Sequence, residues 1–109
     1  MAYDDILAAR TRALLSGLEG FDEKKMFGGV GYLLNGNMAC GVHKEHLIVR
    51  VDPERYEEAL ADPHANVFDL TGRPMKGWIT VVPKGFETDP DLGIWVQRGV
   101  EFAQTLPPK

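Results

Sequence analysis

The residues best suited by type to chemistry are one cysteine and the two histidines that follow it, Cys40, His43 and His46. A thiol beside an imidazole can act as a nucleophile with its base, provided that the thiolate forms and the two side chains touch. On a strand, residues three apart point to opposite faces, so Cys40 and His43 do not meet without a bulge. We therefore predict a buried core cysteine, and two solvated turn histidines that lack a third metal ligand.

The serine and the carboxylates also do not form a recognisable set of catalytic residues. Ser16 is the only serine and lies within the first predicted helix. The carboxylates stand mainly at predicted helix starts, where capping accounts for them. No catalytic residue can be named, so we expect no enzyme activity.

A glycine-rich segment, GGVG, covers residues 28–31. Such loops hold phosphates when they lead into the N-terminus of a helix. Here Leu34 stands where a dinucleotide-binding motif needs its third glycine, and the segment leads into a predicted strand. A bend or bulge, where small residues let another element cross the backbone, is the alternative. We expect no nucleotide, no other cofactor and no metal.

Several basic side chains and one tryptophan could together contact phosphate or stack on RNA bases. They are Arg50, Arg73, Lys76, Lys84, Arg98 and Trp78. The alternative is a set of separately solvated cations. The chain has 12 Lys and Arg against 16 Asp and Glu, a net charge of −4, and so lacks the overall positive field of a dedicated nucleic-acid binder.

Length and composition favour one soluble globular domain over residues 1–109. The 109 residues are 44% hydrophobic and 26% charged, which is typical of a folded chain with a single core. One cysteine allows no internal disulfide, which fits a reducing cytoplasm. The first five residues carry acids where a signal peptide carries positive charge, and no apolar run is long enough to span a bilayer. We expect a cytoplasmic protein without a membrane segment.

Three segments have the sequence pattern of helices. The first covers residues 4–18, a short one covers 53–61, and the last covers 89–105. In the last helix, Gly99 lies on the apolar side and is expected to let the helix approach the sheet closely. The core side of the first helix is predicted to carry Ile6, Leu7, Leu14 and Leu18, with Thr11 toward solvent.

Between residues 24 and 51 the apolar period changes to two, which indicates strands. The Asn35-Gly36 pair between alternating apolar runs is the strongest short-range signal for a hairpin. Three strands joined by short turns form an antiparallel meander, and in the second we expect Met38, Cys40 and Val42 on one face. Another strand is predicted at residues 78–82, and a brief one at 67–68.

The fold class that follows is α+β, a two-layer sandwich. An antiparallel sheet of about five to six strands carries the N- and C-terminal helices on one face, with the short helix between strands. The opposite face is left free for a partner. Any such sheet also offers a free strand edge, through which two copies could form a homodimer.

Four segments in this order resemble the N-terminal domain of the TfoX/Sxy family. They are residues 26–32 (MFGGVGY), 36–39 (GNMA), 47–52 (LIVRVD) and 73–78 (RPMKGW). The resemblance spans nearly the whole chain, and it implies an α/β two-layer fold with no established catalytic residues. In longer members a helical domain follows, and the full protein regulates natural competence through transcription. This chain ends where that second domain would begin, so we expect a single-domain member.

We expect a non-enzymatic regulatory or protein-interaction module, linked through the resemblance to transcriptional or competence regulation. The partner is expected to be a protein that contacts the free sheet face and the loop at residues 72–78. A small nucleic-acid-binding accessory domain is the alternative. The candidate interaction surface consists of Arg50, Arg73, Met75, Lys76 and Trp78.

Overall fold

The computed structural model describes residues 3–26, 28–69 and 72–109. Met1, Ala2 and the motif residue Phe27 lie outside them. The helices are α1 (Asp5–Leu15), α2 (Tyr56–Leu60) and α3 (Asp89–Thr105). The strands are β1 (Phe21–Met26), β2 (Gly29–Leu34), β3 (Asn37–His43), β4 (His46–Arg50), β5 (Ala65–Val67) and β6 (Trp78–Val81). Short 3₁₀ turns at Pro53–Arg55 and Pro83–Phe86 precede α2 and α3.

The strands form one antiparallel six-stranded sheet in the order β1-β2-β3-β4-β6-β5. This confirms the predicted α+β class. The predicted hairpin joins β2 to β3, and its turn residues Asn35 and Gly36 have φ angles of 52° and 85°. Asparagine and glycine tolerate these left-handed angles better than other residues, so the local sequence suffices to place the turn.

The core lies between the sheet and the two terminal helices, which cover one sheet face. Two aromatic side chains on this face carry polar atoms that need partners. The hydroxyl of Tyr32 donates to the carbonyl of Ala8 at 2.9 Å, and the indole N–H of Trp95 donates to the carbonyl of Gly85 at 3.1 Å. Both buried polar groups are therefore satisfied.

The rotation of α1 about its axis differs from the prediction. Ile6 and Leu14 are 75% and 44% exposed, whereas Thr11 is fully buried and its hydroxyl donates to the helix backbone. Arg12 donates to both carboxylate oxygens of Glu23 on β1, at 2.6 and 2.8 Å. The side of the helix that faces the core carries Leu7, Ala8, Thr11 and Leu15, so the predicted core positions Ile6 and Leu14 were wrong.

The segment after α3 is anchored at the tip of the β2–β3 hairpin. A double proline after a helix predicts a frayed end. Instead, the Asn37 amide donates to the carbonyl of Pro107 at 2.9 Å, and the backbone N–H of Lys109 donates to the carbonyl of Asn35 at 2.8 Å. Asn37 is only 2% exposed, so this hydrogen bond satisfies an otherwise costly buried amide.

Candidate functional site

The sheet face opposite the helices is shaped by a β-bulge in β3. Tyr32 pairs with Cys40, but the next residue of β2, Leu33, pairs with Met38, so Ala39 is the extra residue. The bulge turns Met38 onto the outer face while Cys40 stays in the core. The prediction that Met38 shares a face with Cys40 was wrong, because strict alternation does not continue across a bulge.

Two buried glycines on neighbouring strands lie beneath methionine side chains that line a groove on this outer face. Gly31 and Gly41 are direct cross-strand partners. A β-carbon on Gly31 would lie 2.9 Å from the methyl carbon of Met26, and one on Gly41 would lie 2.8 Å from that of Met38. The ends of these two methionines, which line the groove, therefore lie over the glycine pair. Methionine is unbranched and flexible, so this cover can rearrange around a ligand.

The groove has a volume of about 550 Å³. At one end the rings of Phe68 and Trp78 lie 6.5 Å apart, tilted by 47°. The backbone N–H of Met75 donates to the carbonyl of Phe68, which holds the exposed Met75 beside the two rings. The apolar side chains of the lining are Met26, Leu33, Met38, Ile48, Phe68, Met75 and Trp78.

The structure brings three of the five predicted surface residues together at this groove. Arg50, Met75 and Trp78 line it. Arg73 and Lys76 are exposed on the same loop as Met75 but are not part of the lining. The predicted surface is therefore divided between the groove and its surroundings.

Arg50 ends β4, and its guanidinium lies between two aromatic rings. Its Cζ atom is 5.2 Å from the ring centre of Trp78 and 5.3 Å from that of Phe102. Each such cation–π contact contributes about 0.5–1 kcal/mol at an exposed site. Within the described part of the chain, Arg50 forms no ion pair with a carboxylate.

Sequence reasoning missed Met38 and Phe68 as parts of the groove. Met38 was assigned to the core, and Phe68 was placed at a brief strand without a role. A usable signal was present, since Gly31 and Gly41 fall on paired strands and leave space that a nearby long side chain must fill. The contact between Phe68 and Trp78 is made across the loop and has no local signal.

Cys40 and His43 lie on opposite faces of β3, as the spacing predicts. Burial raises the pKa of the Cys40 thiol to about 12, so the reactive thiolate is strongly disfavoured. The pKa of His43 is lowered, first by burial and then by the neighbouring charges of Lys44 and His46. In the part of the chain that the structure describes, no group of three His, Cys, Asp or Glu side chains could hold a metal.

We expect Cys40 to be inert toward thiol reagents in the folded protein. Its complete burial blocks access, and its raised pKa removes the nucleophile. With dithionitrobenzoate at pH 8, labelling should follow unfolding, whereas the chain in guanidinium is labelled at once. Rapid stoichiometric labelling of the native protein, at unchanged circular dichroism, would contradict this burial.

A second cleft, of about 700 Å³, lies between α2 and the outer side of α3. Its charged lining is mixed, with Asp52 and Glu101 beside Arg55 and Arg98. The guanidinium of Arg98 stacks 4.9 Å from the ring centre of Trp95. Opposite charges side by side select no single ligand chemistry, so the groove on the outer sheet face is the candidate site.

The family model for the TfoX N-terminal domain matches residues 13–103. The chain belongs to the TfoX N-terminal domain family, which confirms the resemblance inferred from its motifs. This is not a known enzyme family. No curated protein matches the chain. Over residues 3–26, 28–69 and 72–109, no helix combines the length and hydropathy needed to cross a membrane.

Proposed function

We propose that this chain is a non-enzymatic regulatory module that binds an apolar segment of a partner protein in the groove on the outer sheet face. Membership of the TfoX N-terminal domain family fits a regulatory or competence-related role. The observation that carries the proposal is the groove itself, lined by Met26 and Met38, whose ends lie over Gly31 and Gly41, and closed at one end by two aromatic rings. The proposal includes a cytoplasmic location, which suits a lone buried cysteine.

The composition of the groove favours a protein ligand. Met75 is 39% exposed and Trp78 is half-buried, although both are large apolar side chains. Fully burying one side chain of this size stabilises a complex by about 1.5–3 kcal/mol. Tryptophan, methionine and arginine are also enriched at protein interfaces, and tryptophan and arginine at the centres that dominate binding.

Geometry gives less support to the nucleic-acid alternative. One face of Trp78 is covered by the guanidinium of Arg50, which leaves less of the ring for stacking on a base. The predicted basic set does not converge, since Arg98 stacks on Trp95 in the other cleft. Lys84 stands in the 3₁₀ turn before α3. A net charge of −4 adds no general attraction for phosphate.

Site-specific photo-crosslinking tests the proposed function. A benzophenone amino acid replaces Met75 at the groove or, as a control, Leu14 on α1, which are 39% and 44% exposed. We expect the probe at Met75 to crosslink a protein in nuclease-treated native extract that the probe at Leu14 does not. That protein, identified by mass spectrometry and purified, should then bind the unmodified chain in calorimetry.

Three results would count against the proposed function. They are crosslinks of equal yield from both positions, crosslinks that disappear with nuclease, and a purified candidate that does not bind. A nuclease-sensitive crosslink at Met75 alone would favour nucleic acid instead. Each probe-bearing chain must keep the circular dichroism spectrum and melting temperature of the wild type.

A further inference from the structure

The charges that line the groove are unlike those of the whole chain. Among its described lining residues the ionisable side chains are Arg50, Lys109 and His43, and no Asp or Glu is included. Acidic residues nevertheless outnumber basic ones in the chain, 16 to 12. A positive, acid-free lining in an acidic protein attracts a ligand that carries negative charge.

Arg50 is the cation of this lining that the structure holds in place. The rings of Trp78 and Phe102 contact its guanidinium at 5.2 and 5.3 Å. The guanidinium carbon lies over both rings, and within the described residues no carboxylate forms an ion pair with Arg50. The planar fork of arginine matches a carboxylate with two parallel hydrogen bonds. Because stacking already restricts the side chain, less entropy is lost when a ligand binds.

Arg50 also has a fixed spacing along β4 from an apolar residue that lines the groove. Ile48 precedes it by two residues on β4 and lines the same groove. Two residues along a strand span about 6.6–6.8 Å. An extended peptide that follows β4 repeats its same-side residues at this spacing. A peptide that pairs a carboxylate with Arg50 can therefore bring a side chain two positions away toward Ile48 on the same side of the sheet.

We propose that Arg50 is a carboxylate-binding residue, and that the groove selects a peptide segment with Asp or Glu two positions from a large apolar residue. This inference rests on the proposed function, because it names the chemistry of the same groove's partner. The lining favours such a peptide over a polyanion, since one stacked arginine is surrounded mainly by apolar side chains. Nucleic acid would need several convergent phosphate contacts.

Selection from a random 12-residue peptide phage library tests the inference on the full chain. Peptides that bind wild type are counter-selected against Gly31→Val, whose side chain pushes the end of Met26 into the groove that it lines. Met75→Glu serves as a second blocked variant, because it adds a negative charge at the exposed rim without touching the sheet. We expect the enriched peptides to carry Asp or Glu two positions from Leu, Ile, Met, Phe or Trp.

Synthetic copies of the enriched peptides then identify the role of Arg50. Replacing the peptide carboxylate by its amide should weaken binding by about tenfold or more, as expected for a charge-assisted hydrogen bond. Arg50→Met should give the same loss for the acidic peptide and little for the amide peptide. Arg50→Lys, which keeps the charge but not the fork, should recover only part of the affinity. The matched control is Arg98→Met, since Arg98 also stacks on a tryptophan but lies in the other cleft.

The outcomes separate the two proposals. Peptides that bind wild type but neither blocked variant, carry no acid and bind Arg50→Met equally well would overturn the carboxylate inference alone. If no selected peptide is sensitive to either blocked variant, the proposed function and the inference both fail. An oligothymidine that displaces the peptide in an Arg50-dependent way would assign the site to phosphate and overturn the inference. All variants are compared at matched helicity and melting temperature.

Discussion

Replacing Gly99 by alanine is expected to destabilise the protein by about 3 kcal/mol, because forced overpacking typically costs about 1–3 kcal/mol and here the obstacle is backbone. A β-carbon at Gly99 would overlap the carbonyl oxygen of Ala39 and lie 3.0 Å from its carbonyl carbon. Ala39 is the bulged residue of β3 and is completely buried, and its carbonyl belongs to the backbone, so it cannot move aside as the end of a side chain can. Gly99→Leu should not fold. Urea denaturation monitored by circular dichroism measures both effects.

Gly93 on the same helix provides the matched control. Among the described residues, and apart from the helix's own backbone and the adjacent residues, no atom lies within 4 Å of a β-carbon built there. Gly93→Ala should therefore stabilise the protein by up to about 1 kcal/mol, the difference in helix propensity between the two residues. If Gly99→Ala behaves like Gly93→Ala, the close approach of α3 to β3 is wrong.

Elements with local sequence signals could be predicted closely. The predicted bounds of α3, residues 89–105, coincide with those observed. The hydroxyl of Thr88 accepts a hydrogen bond from the backbone N–H of Asp91, and Pro90 occupies the first turn, so the helix start is encoded by its neighbours. The hairpin turn at Asn35 and Gly36 is encoded in the same local way.

Features that depend on contacts with other elements could not be predicted. β1 has four consecutive charged residues, Asp22 to Lys25, and forms because β2 supplies a pairing edge. Charged residues on an edge strand hide the alternation that marks other strands. The rotation of α1 likewise depends on packing against other elements, which buries Leu7, Thr11 and Leu15 in place of the predicted Ile6 and Leu14.

The residues of the candidate site also differ in whether the sequence could predict them. Arg50, Met75 and Trp78 could be singled out because turn geometry does not require their side chains. Met38 could not, because the bulge at Ala39 depends on the register between two strands. The second ring that holds Arg50, Phe102, comes from α3 and is brought close only by the tertiary fold.

Gly31 and Gly41 are expected to respond differently to substitution by alanine. A β-carbon on Gly41 would lie 2.6 Å from the carbonyl oxygen of Val30, which is sheet backbone. Gly41→Ala should therefore cost about 2 kcal/mol, within the range for overpacking. For Gly31 the nearest atom is the methyl carbon of Met26 at 2.9 Å, the free end of a flexible side chain. Gly31→Ala should stay within about 0.5 kcal/mol of wild type, since the methionine can shift.

The stability of Gly31→Ala measures how easily Met26 moves, and Gly41→Ala shows the cost of a contact with backbone that cannot move. Both glycines lie on the same sheet face and are direct partners, so changes in strand propensity affect them alike. Chemical denaturation of both variants in one buffer isolates the contact made by the new methyl group. Equal and large losses in the free energy of unfolding would mean that Met26 cannot move away from Gly31. A groove lined by an immobile methionine could not adapt to a peptide. If only Gly41→Ala lowers the free energy of unfolding, Met26 can move aside, as binding in the groove requires.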